Sequence, residues 1–116
     1  MHDFRKLQVW HRARDVVVLA DTTTRQFPNT DHGVIAAQLR RAAISIPANI
    51  AEGCGRSSRK ETVRFLQIAA GSAAEAESHL EVARALNYVN ARQYETLRCE
   101  LDAIQRMLRR LMSNLP

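Results

Sequence analysis

The sequence predicts an all-α protein: one up-down-up-down antiparallel four-helix bundle spanning residues 1–116. Three observations lead there. The 116 residues are 46% hydrophobic, enough to fill one continuous core and too few for a second domain. Only three Pro and four Gly interrupt a chain rich in Leu, Ala, Arg and Glu, so long helices meet few breaks. Aromatic residues make up 5%, which argues against an all-β fold, and apolar residues recur at helical spacing.

The first helix is expected over 6–26, with Val9, Ala13, Val16 and Ala20 on one face, Trp10 and Val17 beside it, and a stop at Phe27-Pro28. The second is expected over 30–54, with Leu39, Ala42, Ile46 and Ile50 inward. Pro47 lies in its interior, where it removes a backbone hydrogen bond and crowds the Ala43 carbonyl, so a kink is expected there. Gly53 and Gly55 are expected to end it, where a left-handed residue is usually needed.

Ser58-Arg59-Lys60-Glu61 reads as a capping box opening a third helix over 59–86, whose inward stripe is expected to be Val63, Leu66, Ala70, Ala73, Glu77 and Leu80. Its middle, Ala69 to Ala74, is small, and Gly71 costs roughly 1 kcal/mol relative to Ala, so a neighbour is expected to pack against it. Asn87-Tyr88-Val89 forms the last turn. The fourth helix, over 90–114, has the clearest stripe: Tyr94, Leu97, Leu101, Ile104, Leu108, Leu111 and Leu115, opened by an Asn90/Gln93 capping pair. Connections of a few residues force neighbouring helices to run antiparallel.

Seventeen Lys and Arg against 12 Asp and Glu give a net charge of +5, and 15 of the 17 are Arg. Arg is the better phosphate ligand, so the excess points to a polyanionic partner, although a GC-rich genome also raises Arg throughout. No apolar run approaches the roughly 18 to 20 residues a membrane span needs, and the first residues lack an export signal, so a cytoplasmic address is expected. Cys54 and Cys99 have no metal or redox spacing and read as two reduced thiols.

The stretch Ala48 to Lys60 places two glycines, two serines and three bases just before a helix N-terminus, where anions are favoured. No strand precedes it and the spacing is not GxxxxGK[ST], so it is not a nucleotide-hydrolysing P-loop; an ordinary turn or a nucleic-acid phosphate contact fits it. Ser45, Asn49, Glu52 and Arg56 share one helix face, and Asn49 and Glu52 are candidates for interface hydrogen bonds with Ser72, Glu75 or Arg64. The histidines at 2, 11, 32 and 79 have no metal-ligand pairing with one another, and among Glu75, Glu77 and Glu81 the one-face pair Glu77 and Glu81 has no histidine at ligand spacing, so neither a metal site nor a cofactor is expected. No nucleophile has a recognisable base. An enzyme is not expected.

The segments FRKLQVW from Phe4 to Trp10, Phe27-Pro28, Gln38 to Gly53 with its core SIPANIAEG, and GSAAE from Gly71 to Glu75 together resemble a family: the four-helix-bundle proteins encoded in intervening sequences of bacterial 23S ribosomal RNA genes. The likeness runs over nearly the whole chain; Asp31-His32-Gly33 stands where the family often has Glu, an aromatic and Gly. The resemblance implies a homo-oligomeric ring, a pentamer, with a basic surface that binds nucleic acid and no enzymatic activity. Relatives include accessory proteins of diversity-generating retroelements, which implies a reverse transcriptase as a further partner.

The expected function is therefore a non-catalytic nucleic-acid binder that takes structured RNA through an Arg-rich surface. Its candidate contacts are Arg40, Arg41, Arg56, Arg59, Lys60 and Arg64, with Asn49, Glu52, Ser72 and Glu75 as structural or interface residues. The competing expectation is a homo-oligomeric adaptor that binds another protein, its arginines being compositional.

Overall fold

The computed structural model describes residues 3–29 and 33–116. The expected first turn of the second helix at 30–32, with His2, Asp31 and His32, lies outside the described residues. A 3-10 turn (Phe4–Lys6) leads into α1 (Gln8–Thr24), followed by α2 (Val34–Cys54), α3 (Arg59–Ala85) and α4 (Ala91–Ser113). Each helix packs against its neighbours in the order α1-α2-α3-α4 and back to α1, while the diagonal pairs do not meet. Cross-helix bonds give the direction. Ser45 pairs with Ser72 and Gly53 with Thr62, Ala70 with Gln105 and Glu81 with Tyr94, Arg12 with Glu100 and Gln26 with Gln93. As one partner's number rises the other's falls, which is the pattern of antiparallel neighbours. The result is a rod 47 × 22 × 20 Å.

Local chemistry accounts for the helix ends, and here several expectations are corrected. The Asp3 side chain accepts the Arg5 amide at 3.0 Å and starts the 3-10 turn, so α1 begins at Gln8 rather than at residue 6. It closes at Thr24, before Phe27-Pro28, within the run Thr22-Thr23-Thr24. The Thr22 and Thr24 hydroxyls donate to the Val18 and Asp21 carbonyls, competition that weakens a helix at its end. α2 continues through Pro47, which is buried. Neither Gly53 nor Gly55 is left-handed: Gly55 caps α2 at φ −83°, and positive φ occurs only at Gly33 and Asn87 among the described residues.

Gly53 is needed for a different reason. A Cβ there would lie 3.3 Å from both the Phe65 Cβ and the Thr62 carbonyl oxygen, so its absence lets α2 and α3 close on each other. The Thr62 hydroxyl uses that approach to donate to the Gly53 carbonyl at 3.0 Å. Ser58 accepts the Glu61 amide, but the Glu61 carboxylate turns to Arg64, so only half of the expected capping box forms. At the other end of α3, Asn87 (φ 62°) is followed by a Tyr88 amide bonded to the Ala83 carbonyl, a Schellman turn made with Asn instead of Gly. Both halves of the Asn90/Gln93 capping box are present on α4.

The core is aliphatic, with Leu39, Ile46, Ile50, Leu66, Leu80, Leu97, Leu101, Ile104 and Leu108 fully buried. Burying each such side chain contributes about 1.5–3 kcal/mol, the main favourable contribution to a fold this small. On α1, α2 and α4 the buried faces are those expected. On α3 the stripe is rotated: Thr62, Leu66, Ala69, Ala73, Ala76, Leu80 and Ala83 are buried, while Val63, Ala70 and Glu77 sit at its edge. α3 must face both α2 and α4, and alanines allow close approach on both sides. Among the described residues, Gly71 has no atom outside its own helix within 4 Å of where a Cβ would stand, so the neighbour expected to pack against it is not found there.

Candidate nucleic-acid interface

Because α2 and α3 are antiparallel and joined by four residues, the C-terminus of one and the N-terminus of the other meet at one tip of the rod. That tip holds Arg56, Arg59, Lys60 and Arg64. Arg56 reaches back along its helix to Glu52 at 2.7 Å, and its guanidinium lies 4.6 Å above the Phe65 ring. Its Nε is buried with no hydrogen-bond partner. Arg64 lies 5.8 Å from the same ring and 3.7 Å from Glu61. Arg59 and Lys60, both exposed, have no ion-pair partner among the described residues.

Two concavities flank these cations. One of about 250 Å³ is lined by Arg56, Ser57, Ser58, Arg59, Thr62 and the chain end at Leu115 and Pro116. The other, about 640 Å³, is lined by Arg59, Lys60, Glu61, Val63, Arg64 and Gln67. Antiparallel packing brings the end of α4 to the same tip with Arg109 and Arg110, and the 3-10 turn brings Arg5 and Lys6.

Arg40 and Arg41 are not part of this tip. They lie some 15 residues back along α2, roughly 22 Å away at 1.5 Å per residue. Arg40 donates to the Thr24 hydroxyl at 3.0 Å, tying α2 to the end of α1. Both arginines border an apolar groove of about 580 Å³ with Val17, Val18, Asp21 and Ile44. Val18 and Ile44 are 62% and 59% exposed there. The six cations therefore divide into a polar tip and an apolar groove.

The remaining candidates divide differently, into a cross-helix chain and two carboxylates paired on their own helices. Asn49 Nδ2 donates to the Ser45 carbonyl at 2.8 Å and to its Oγ at 3.0 Å, and the Ser45 and Ser72 hydroxyls share a hydrogen bond at 2.8 Å. This chain stitches α2 to α3. Glu52 and Glu75 stay on their own helices, Glu52 with Arg56 and Glu75 with His79 at 3.2 Å.

Towards the other tip, the Glu77 carboxyl is pushed above the usual carboxylate range by burial, with repulsion from Asp102 and Glu81 adding to it and Arg98 opposing. Cys54 is buried, which raises its thiol, and Cys99 is exposed on α4; both are free. No group of three or more metal-ligating side chains converges among the described residues, and no helix is long and apolar enough to cross a membrane. Sequence reasoning missed Phe65. Its only local signal is that it directly follows Arg64.

Fold and surface together define a class: small antiparallel helical bundles that concentrate cations at one tip. Within that class the chain belongs to the 23S rRNA-intervening sequence protein family, whose model matches residues 5–110. This is the family that SIPANIAEG and GSAAE pointed to. No curated protein matches the chain. Among solved structures it is similar to a protein of unknown function from the S23 ribosomal protein family of Bacteroides thetaiotaomicron, determined at 1.70 Å. The two are 27% identical with a TM-score of 0.83, over 90% of this chain and 97% of that one.

Proposed function

We propose that the protein is a non-catalytic RNA-binding protein that holds phosphates at the tip where α2 meets α3. The observation that carries this reading is Arg59 and Lys60: two exposed cations without ion-pair partners among the described residues, in the first turn of a 27-residue helix. A helix N-terminus favours anions, and two adjacent fixed charges add to that preference. Arg56 and Arg64 can join them, because exposed ion pairs such as Arg64–Glu61 are worth only about 0–1 kcal/mol and a phosphate can replace the carboxylate.

The test is RNA affinity measured across salt for the protein and for the double variant Arg59→Glu/Lys60→Glu. About five neutralised phosphates on single strands lower affinity roughly a hundredfold between 50 and 200 mM salt. The variant is expected to bind more weakly and with a shallower slope while staying folded. Unchanged affinity would remove this tip from the interface.

A second reading is favoured by the groove between α1 and α2. Exposed Val18 and Ile44 beside Arg41 suit a protein surface better than RNA. In this reading the groove joins copies of the chain into a homo-oligomer, the pentamer the family resemblance implies, or docks another protein such as a reverse transcriptase. Light scattering of Ile44→Asp against the unmodified protein tests it: a fall from an oligomer to a monomer supports self-association, and a monomer in both excludes it.

A further inference from the structure

The aromatic residues are sorted along the rod. The chain has six Phe, Tyr and Trp residues. Phe27 and Tyr88 pair with each other at the far tip, 5.2 Å between centroids, and Tyr94 bonds to Glu81. Phe4, Trp10 and Phe65 lie at or near the basic tip, and all four arginine-over-ring contacts among the described residues fall on these three. Phe4 and Trp10 meet with their ring centroids 4.7 Å apart and their planes tilted by 55°, Arg5 lies 4.6 Å over Phe4, and Arg14 lies 5.8 Å over Trp10. The edge of His11 meets Trp10 at 5.1 Å, and His11 Nε2 bonds the Arg5 carbonyl at 2.7 Å, which pins the 3-10 turn to α1. Phe4 and Trp10 are both half-buried, and Trp10 packs against the core.

We infer that the Phe4–Trp10 pair is a stacking surface for unpaired bases, so that the RNA held at the basic tip is single-stranded where it crosses the start of α1. The inference rests on the RNA-binding reading and deepens it. Aromatic rings interleaved with arginines bind single strands because every base has a π-face, whereas bases inside a duplex are already stacked and offer none. The guanidinium over each ring can move aside for a base and then meet its phosphate, since an exposed cation–π contact is weaker than base stacking. The rings are fixed before the ligand arrives, by the Asp3 cap and the His11 bond. Phe4 and Trp10 stand at the start of α1, diagonal to α3, and the rod is 22 × 20 Å in cross-section, so a strand that touches both them and Arg59 and Lys60 passes over the end of the rod.

Trp10 is the only tryptophan in the chain, so its fluorescence reports on this surface alone. The experiment titrates the full chain with a single-stranded RNA oligonucleotide and with a duplex of the same length. Intrinsic fluorescence is followed together with the anisotropy of a label on the RNA. Trp10 fluorescence is expected to be quenched in step with anisotropy for the single strand only. Phe4→Leu keeps an apolar side chain but removes the ring, and is expected to weaken single-strand binding roughly tenfold while leaving duplex binding unchanged. Binding by anisotropy with unaltered Trp10 fluorescence and equal affinity for both RNAs would overturn the stacking surface and leave the cationic tip standing. No binding of either RNA by anisotropy would overturn both.

Discussion

The two tips of this rod are built from the same residue types and use them differently. At the tip formed by the α3–α4 turn, Arg84 donates to the Val89 carbonyl at 3.0 Å and holds the turn, and Arg40 bonds Thr24 nearby, while Arg92 alone stands exposed in the first turn of α4 without an ion-pair partner among the described residues. Carboxylates lie towards the same tip, where Glu95 pairs with Arg98 at 3.0 Å and Glu81 accepts from Tyr94. At the tip formed by the α2–α3 turn, Arg59 and Lys60 have no ion-pair partner among the described residues, and the arginines that are held lie over aromatic rings. An arginine count does not distinguish these roles. What separates them is whether a carbonyl or hydroxyl lies within reach to fix the guanidinium in place.

That difference can be broken or sharpened by substitution. The largest effect is expected at the close approach behind the basic tip: Gly53→Val forces side-chain carbons against Phe65 and the Thr62 carbonyl, and costs about 1–3 kcal/mol in urea denaturation. Gly71, with open space around it, behaves oppositely. Gly71→Ala is expected to stabilise the chain by roughly 1 kcal/mol, and a loss there would mean that a partner occupies the space. At the far tip, Asn90→Ala removes one side of the capping box and costs about 1 kcal/mol, seen as a lower denaturation midpoint.

The arginines then give the direct contrast. Arg84→Gln is expected to cost about 1 kcal/mol, because the Val89 carbonyl loses its charged donor, whereas Arg59→Gln stays within about 0.5 kcal/mol. Equal losses at both positions would remove the distinction between the tips. The smallest effect concerns Glu77. Its carboxyl is raised in the folded state, so the folded chain binds more protons than the unfolded chain just above the usual carboxylate range, and this site opposes folding increasingly as pH rises through that window. Glu77→Gln is expected to be slightly more stable than the unmodified protein at neutral pH, with the advantage shrinking as pH is lowered.

Most of the fold was legible because each helix writes one apolar stripe. α4 is the plainest case: Leu97, Leu101, Ile104 and Leu108 keep one phase and its capping box is spelled out by Asn90 and Gln93. α3 was misphased because alanine marks a core position only weakly, so Ala70 and Ala69 are equivalent in sequence while only Ala69 is buried. The proline rule puts the end of α1 at residue 26, yet the threonine hydroxyls close it two residues sooner, at Thr24. The candidate site was legible in part. Residues 56 to 64 lie together because they are close in sequence across one turn. Arg40 and Arg41 were grouped with them by charge alone, a property that says nothing of the rise separating them along α2. Phe4, Trp10 and Phe65 were unreadable as a set, because their common placement depends on helix direction rather than on spacing.

The central claim is that the free cations at the α2–α3 tip hold RNA phosphates. The most direct measurement is the salt dependence of RNA binding by the unmodified chain, by Arg59→Gln/Lys60→Gln, and by Arg84→Gln as the far-tip control. The account predicts a slope shallower by about 1.4 for the double variant, two phosphates lost at about 0.7 each, and an unchanged slope for Arg84→Gln. Equal slopes for all three proteins, with binding intact, would contradict it.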